Sequence, residues 1–294
     1  MSTVLYDTPG PKAKARNWIY SAVFVVLLAL VLWWALGLMA DKHQLDAEKW
    51  SPFVTDGEVW TTFLIPGLLE TLKAGVIAMV IALPLGALLG IGRLSDHRWV
   101  RVPVGAVVEF FRAIPVLMLM LFGFALYVKF SNVESEIRPL YAVVTGLVLY
   151  NASVIAEIVR AGIQSLPRGQ TDAAKAIGMR KGQTMAYVLL PQAVTAMLPA
   201  LVSQLVVILK DTAIGGAILG LGELLSMNRQ ISANYSNTIP SLIVIAVLYI
   251  AVNYALASSA SWLEARLRQS KKSTGAVVGV AEASDLATGN NSVG

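Results

Sequence analysis

Long apolar runs alternate with short polar connections along this chain. A hydrocarbon core about 30 Å thick takes about 20 apolar residues in helical form. Six stretches meet that length, roughly 18–39, 65–92, 103–129, 139–160, 192–212 and 239–262. The stretch 213–226 is apolar but too short to span. It reads as a re-entrant or interfacial segment, because irregular backbone at membrane depth must be covered by protein. The pattern predicts an all-α membrane protein of about six transmembrane helices, with a small, polar, disordered tail at its end.

Composition agrees: 56% of the residues are hydrophobic and 14% charged, whereas soluble domains carry about a quarter charged residues. A net charge of +5 could suit nucleic acid, but its placement argues for a leaflet bias, and no nucleic-acid partner is expected. If the N-terminus is cytoplasmic, that side collects Lys12, Lys14, Arg16, Arg93, Arg98, Arg101, Arg160, Arg168, Lys175, Arg180, Lys181, Arg266, Arg268, Lys271 and Lys272. These are fifteen of the 23 basic residues. The opposite side holds Lys42, Lys49, Lys129, Arg138 and Arg229 beside Asp41, Asp46, Glu48, Asp56, Glu58, Glu134 and Glu136. Both termini are therefore predicted to be cytoplasmic in a multi-pass protein of the cell membrane. The first segment shares a basic flank and Leu38-Met39-Ala40 with signal peptides. Its apolar run exceeds their core of about 7–15 residues, so a retained helix is expected.

Several chemistries are excluded. There is no cysteine, and His43 and His97 stand alone without metal-ligand spacing. Gly86, Gly90 and Gly92 lie inside an apolar span and suit close helix packing. Gly215, Gly216, Gly220 and Gly222 lack the Gly-Lys-Ser/Thr sequel of a nucleotide-binding loop. The chain is expected to hold no metal, no cofactor of its own and no catalytic residue.

The polar stretch 157–193 interrupts this apolar pattern. Pro167 resists continuation of the preceding helix, Thr171 and Asp172 can start a new one, and Gly178 suits its C-cap. Ala173, Ala174 and Ala176 give that helix a smooth face, edged by Arg168, Lys175, Arg180 and Lys181. On these grounds alone, a helix lying on anionic lipid and one docking into a partner's groove fit equally.

Here the sequence resembles a known family. Asp172-Ala173-Ala174, Gly178 and Val188-x-Leu190-Pro191 match the EAA loop of ABC-importer membrane subunits, with Asp for the usual Glu and Val for the usual Ile. Glu109-Phe110-Phe111-Arg112-Ala113-Ile114-Pro115 resembles the EFFRGTP signature of the polar amino-acid permeases. Glu157-Ile158-Val159-Arg160-Ala161-Gly162-Ile163, Leu209-Lys210-Asp211-Thr212 and Gly67-Leu68-Leu69-Glu70-Thr71-Leu72-Lys73 are also similar to that family. The extra first helix, the acidic loop 40–60 and 92–98 look most like actinobacterial glutamate permeases.

The resemblance covers about residues 60–268 and implies a five-helix core. It also implies a cytoplasmic ABC ATPase dimer that uses the ATP and an external amino-acid-binding protein. A second, related permease subunit in a heterodimer is expected. Arg168, Asp172, Ala173, Ala174, Gly178, Arg180 and Lys181 would form the ATPase-coupling surface. The implied division is a tail 1–17, an extra helix and loop 18–64, the permease domain 65–268 with its coupling loop 157–191, and a disordered tail 269–294.

Intramembrane charge costs roughly 2.5–3.5 kcal/mol per residue on insertion scales, so it marks function by default. Glu70/Lys73, Glu109/Arg112 and Glu157/Arg160 each sit at i, i+3, which puts both members on one helix face. Each pair is expected either to neutralise itself or to line a polar path. For that path the candidates are Thr71, Lys73, Glu109, Arg112, Asn151, Ser153, Lys210 and Asp211. Such a mixed-charge wall fits an amino acid without singling one out; glutamate is the ligand that the resemblance to the actinobacterial permeases implies.

Overall fold

The computed structural model describes residues 10–272, and every regular element among them is helical. Helix α1 (Pro11–Asp41) opens on a proline, whose missing N–H is no loss in a first turn. It contributes no buried residue; Phe24, Leu32 and Trp33 point outward around it, as suits a helix surrounded by lipid tails. The helix starts at residue 11, so part of the expected tail 1–17 is helical.

The acidic connection expected as a loop contains two short helices, α2 (Ala47–Trp50) and α3 (Pro52–Thr55). A π-helical stretch, Val59–Leu64, then runs unbroken into α4 (Ile65–Gly92). The span expected over 103–129 is broken: α5 (Arg98–Ala113) and α6 (Val116–Phe130) meet at 98°. Pro115 is the cause. It pushes the residue before it out of the α region, and Ile114 is extended at φ −88°, ψ 130°.

Helix α7 (Arg138–Gln164) is the hub, burying Ala142, Leu147, Asn151, Ile155 and Val159 among others. Next come α8 (Arg168–Ala176), α9 (Lys181–Gln183), a second π-helical stretch (Thr184–Leu189) and α10 (Leu190–Leu219). The expected re-entrant segment 213–226 is not a separate element. Its first half completes α10, and Gly220 ends that helix in the left-handed conformation, φ 78°. Helices α11 (Met227–Tyr235) and α12 (Thr238–Lys272) finish the described chain. The predicted tail 269–294 begins inside α12, and from residue 273 it lies outside the described residues.

Among the described residues, five helices are long and apolar enough to cross a membrane, or six if the bent α5–α6 pair counts as one span. Helices α4 and α7 approach most closely at Gly86 and Gly90. A Cβ there would stand 2.7 Å from the Ala152 carbonyl oxygen and 2.6 Å from that of Ala156. The small residues expected to pack helices therefore do so.

At the end of the bundle away from α8, Phe53, Val59, Leu64, Leu224, Met227, Ile231 and Ile245 form one apolar cluster. Polar ties fasten the same region. Asn237 donates to the Lys49 carbonyl at 3.1 Å, and Tyr235 donates to the Asp56 carboxylate at 2.5 Å. The 42–58 connection is thus bound down against α11.

A candidate coupling surface and a junction of charged helices

The EAA-like loop builds α8 as its residue types demand. Pro167 sits at the N-cap in an extended conformation, φ −57°, ψ 132°. At the other end Gly178 is left-handed, φ 81°. Its N–H donates to the Lys175 carbonyl at 2.9 Å, and the Met179 N–H donates to that of Ala174 at 3.0 Å. Those two bonds are the Schellman pattern, which a residue with a Cβ adopts only with strain. The helix begins at Arg168, so Thr171 and Asp172 lie within it rather than capping it.

Of the predicted coupling residues, Ala174 is buried against the bundle, while Arg168, Asp172, Ala173, Gly178 and Arg180 face outward. Beside them stand two exposed apolar side chains that the charge pattern did not suggest, Ile177 (79% exposed) and Tyr187 (75%). Lys181 is engaged within the chain. Its ammonium donates to the Leu94 carbonyl at 2.9 Å and to the Asp96 carboxylate. That donation holds the Asp96 carboxyl below the usual carboxylate range.

Above this surface the charges pair across helices. Arg93, at the end of α4, donates to Glu157 of α7 at 2.9 Å and to Glu109 of α5 at 2.7 Å. Arg160 binds Glu157 as expected, and Arg112 stands 3.8 Å from the same carboxylate. The predicted Glu109/Arg112 pair does not form. A cross-helix partner was nearer for each member than its own neighbour, a geometry that spacing along one helix cannot reveal.

This architecture is shared with known proteins. Residues 82–269 match the family model described as the binding-protein-dependent transport system inner membrane component. The chain belongs to that family. This permease is 44% identical over 248 residues to the glutamate transport system permease protein GluD of Corynebacterium glutamicum, covering 84% of this chain and 90% of the relative. It is 32% identical to the probable glutamine ABC transporter permease protein GlnP of Bacillus subtilis over 208 residues, 69% and 93% of the two chains. A crystal structure of an amino acid ABC transporter with histidines superposes with a TM-score of 0.64 at 29% identity. It covers 70% of this permease and 95% of that chain. The permease is thus a multi-pass membrane component of an ABC transport system, a class that works with a separate ATPase and a substrate-binding protein.

Deeper in the permease, several candidate path residues are occupied inside the bundle. Thr71 donates to the Gly67 carbonyl and accepts the Leu224 N–H, both at 3.0 Å. Asn151 donates to the Leu147 carbonyl at 2.7 Å and accepts from Gln204, and Ser153 donates to the Tyr150 carbonyl at 2.6 Å. Lys73 pairs with Glu70 at 2.9 Å. It lies about 30 Å along α4 from Arg93 by helix rise, so the structure does not bring Lys73 and Arg112 together.

Lys210 is exposed in mid-α10, not at its end, and lines a cavity of about 550 Å³ with Tyr249 and Asn253. Asp211, its neighbour, is half-buried.

Sequence reasoning passed over Glu223, which is wholly buried in the turn after α10. Its carboxylate accepts the N–H groups of Leu225 and Ser226 at 2.7 Å and the Tyr249 hydroxyl at 2.8 Å. Burial pushes its pKa up, against the pull of these three donors. A lone acid in an apolar stretch was the signal that could have found it.

Proposed function

We propose that this permease forms the path by which an acidic amino acid, glutamate, enters the cell, driven by an ATPase seated on α8. The observation that carries the ligand is the 44% identity with a glutamate permease, against 32% with a glutamine permease. The drive is supported by α8 itself, a rigidly capped helix with Ile177 and Tyr187 exposed at its flank. A lipid-surface helix would not need a fixed cap, whereas a docked one gains from preorganisation.

In this reading the α8 end faces the cytoplasm, both termini lie there, and the acidic 42–58 connection faces outward. ATP is bound by the partner ATPase dimer. A related second permease subunit completes the path, and an external binding protein delivers the amino acid.

Within the path, Lys210 is the best-placed of the candidates. Among the described residues it has no ion-pair partner, and the Asn253 Oδ1 atom in the same cavity is buried without a donor. A carboxylate and an ammonium on one ligand would satisfy both. Lys73, paired with Glu70, and Glu109 and Arg112, at the Arg93–Glu157 junction, lie at different depths and face opposite charges, while Thr71, Asn151 and Ser153 are engaged inside the bundle.

Uptake of radiolabelled glutamate by cells expressing the whole transporter tests this. Excess unlabelled glutamate or aspartate should abolish the signal, while glutamine and arginine leave it intact. Competition by arginine alone would overturn the acidic ligand, and competition by glutamine would favour an amide permease. Lys210→Met should raise the KM for glutamate, and an unchanged KM would remove Lys210 from the path.

A further inference from the structure

The connection between α4 and α5 is only a few residues long, and it is held from three sides. Arg93 reaches Glu157 on α7 and Glu109 on α5. Immediately afterwards, the Leu94 carbonyl and the Asp96 carboxylate receive Lys181 from the segment behind α8. Ile91, Leu94, Met185 and Leu190 all pack against one buried apolar cluster that includes Leu189 and Ala193. A groove of about 550 Å³, lined by Ile91, Leu94, Val100, Met185 and Leu190, opens between the two segments.

We propose that residues 93–96 are a transmission node, with Lys181 and Arg93 as positioning residues for coupled transport. Lys181 moves with α9, which continues through the π-helical stretch into α10. When the α8–α9 segment is displaced, its ammonium carries the 94–96 turn along. Arg93 then conveys the shift to α5 and α7 together. α5 is free to respond as an arm, because its far end is the 98° break at Ile114 and Pro115.

The side chains of Lys181 and Asp96 are 51% and 75% exposed, and exposed pairs contribute little to folding. Losing this clasp should therefore leave the fold intact and impair what is transmitted. The open groove matters here. The groove leaves Lys181 as the polar tie to this turn, beside the apolar packing the two segments share.

The inference rests on the ATP-driven reading above, and one experiment separates their failures. The complete transporter is reconstituted in proteoliposomes, and uptake of labelled glutamate and ATP hydrolysis are measured in parallel. If the unaltered complex shows no ATP-driven uptake, the importer reading falls and the node with it.

If it does, Lys181→Met, which loses both acceptors, should lower glutamate carried per ATP by about fivefold or more, the lower bound of typical coupling between sites, and Asp96→Ala, which leaves the Leu94 carbonyl in place, should lower it by less. Both should still co-purify with the ATPase. The double variant should be no worse than the poorer single one, since both cut the same tie. Lys181→Arg, which still donates, should recover most of the ratio. An unchanged ratio in Lys181→Met, additive losses in the double variant, or loss of ATPase co-purification from Lys181→Met would overturn the proposal. The last of these would place Lys181 on the docking surface instead.

Discussion

The contact between α4 and α7 yields the sharpest stability prediction. Gly90→Ala adds one methyl group whose carbon would stand 2.6 Å from the Ala156 carbonyl oxygen and 2.8 Å from the Val159 Cβ. Ordinary contact begins near 3.4 Å, so the helices must part by about 0.8 Å. The nearest obstacle is backbone and cannot rotate aside. Overpacking of this kind costs about 1–3 kcal/mol, and the upper half of that range is expected because Gly86 sits one turn away on the same face. Parting at Gly90 therefore opens the Gly86 contact too. Gly86→Ala alone should cost a similar amount, and the double variant distinctly less than the sum, since one separation relieves both. Gly105→Ala is the control: nothing lies within 4 Å of its added carbon, so helix propensity should make it neutral or stabilising by up to about 1 kcal/mol. Unfolding of the purified permease in mixed micelles, followed by tryptophan fluorescence, gives the differences. A Gly90→Ala protein as stable as Gly105→Ala, or strict additivity with Gly86→Ala, would refute the close-packed register.

Other perturbations read different parts of the molecule. Gly178→Val puts a β-branched residue at φ 81°, where left-handed backbone costs an L-residue about 1–2 kcal/mol. ATP-driven uptake should fall several-fold while membrane insertion persists, and full uptake would count against a fixed α8 cap. Glu223→Gln presents an amide N–H₂ to groups that already donate, so a loss of about 1–3 kcal/mol is expected. A thermal midpoint equal to wild type would show that the buried acceptor is dispensable. Tyr235→Phe should speed proteolytic cleavage within 42–58 by removing the tie to Asp56. The pH dependence of this tie runs in both directions. The Asp56 carboxyl lies below its ordinary 3.8 because Tyr235 donates to it, so the tie holds above 3.8 and is lost as pH falls through the lower folded value. Tyr235 is pushed from 10.0 to about 12 by the same bond, so its contribution is complete below 10.0 and disappears as pH rises through about 12. Cleavage at pH 7 that is no faster in Tyr235→Phe than in the unaltered permease would argue against the tie.

What the sequence disclosed and what it concealed divide along one physical line. Apolar runs report the lipid around each helix, so the long spans were legible from their length and α8 from Pro167, Gly178 and the residues between. The break at Ile114 was legible as well, because a proline acts on the residue immediately before it. It was missed because hydropathy alone, averaged across 103–129, does not register a single extended residue. The charge junction is different in kind. Spacing of i, i+3 correctly paired Glu157 with Arg160 and Glu70 with Lys73, yet it also paired Glu109 with Arg112, which are drawn to other helices. Which of these outcomes occurs depends on the register between helices, set at Gly86 and Gly90 by backbone approach. That approach brings the end of α4 beside α7 and leaves Arg93 with two carboxylates in reach. In the sequence, Arg93 is only one positive charge among those that place a loop in the cytoplasm. Its role follows from three-dimensional register, so Gly90→Ala should disturb Arg93 three residues away as well as the α4–α7 contact itself.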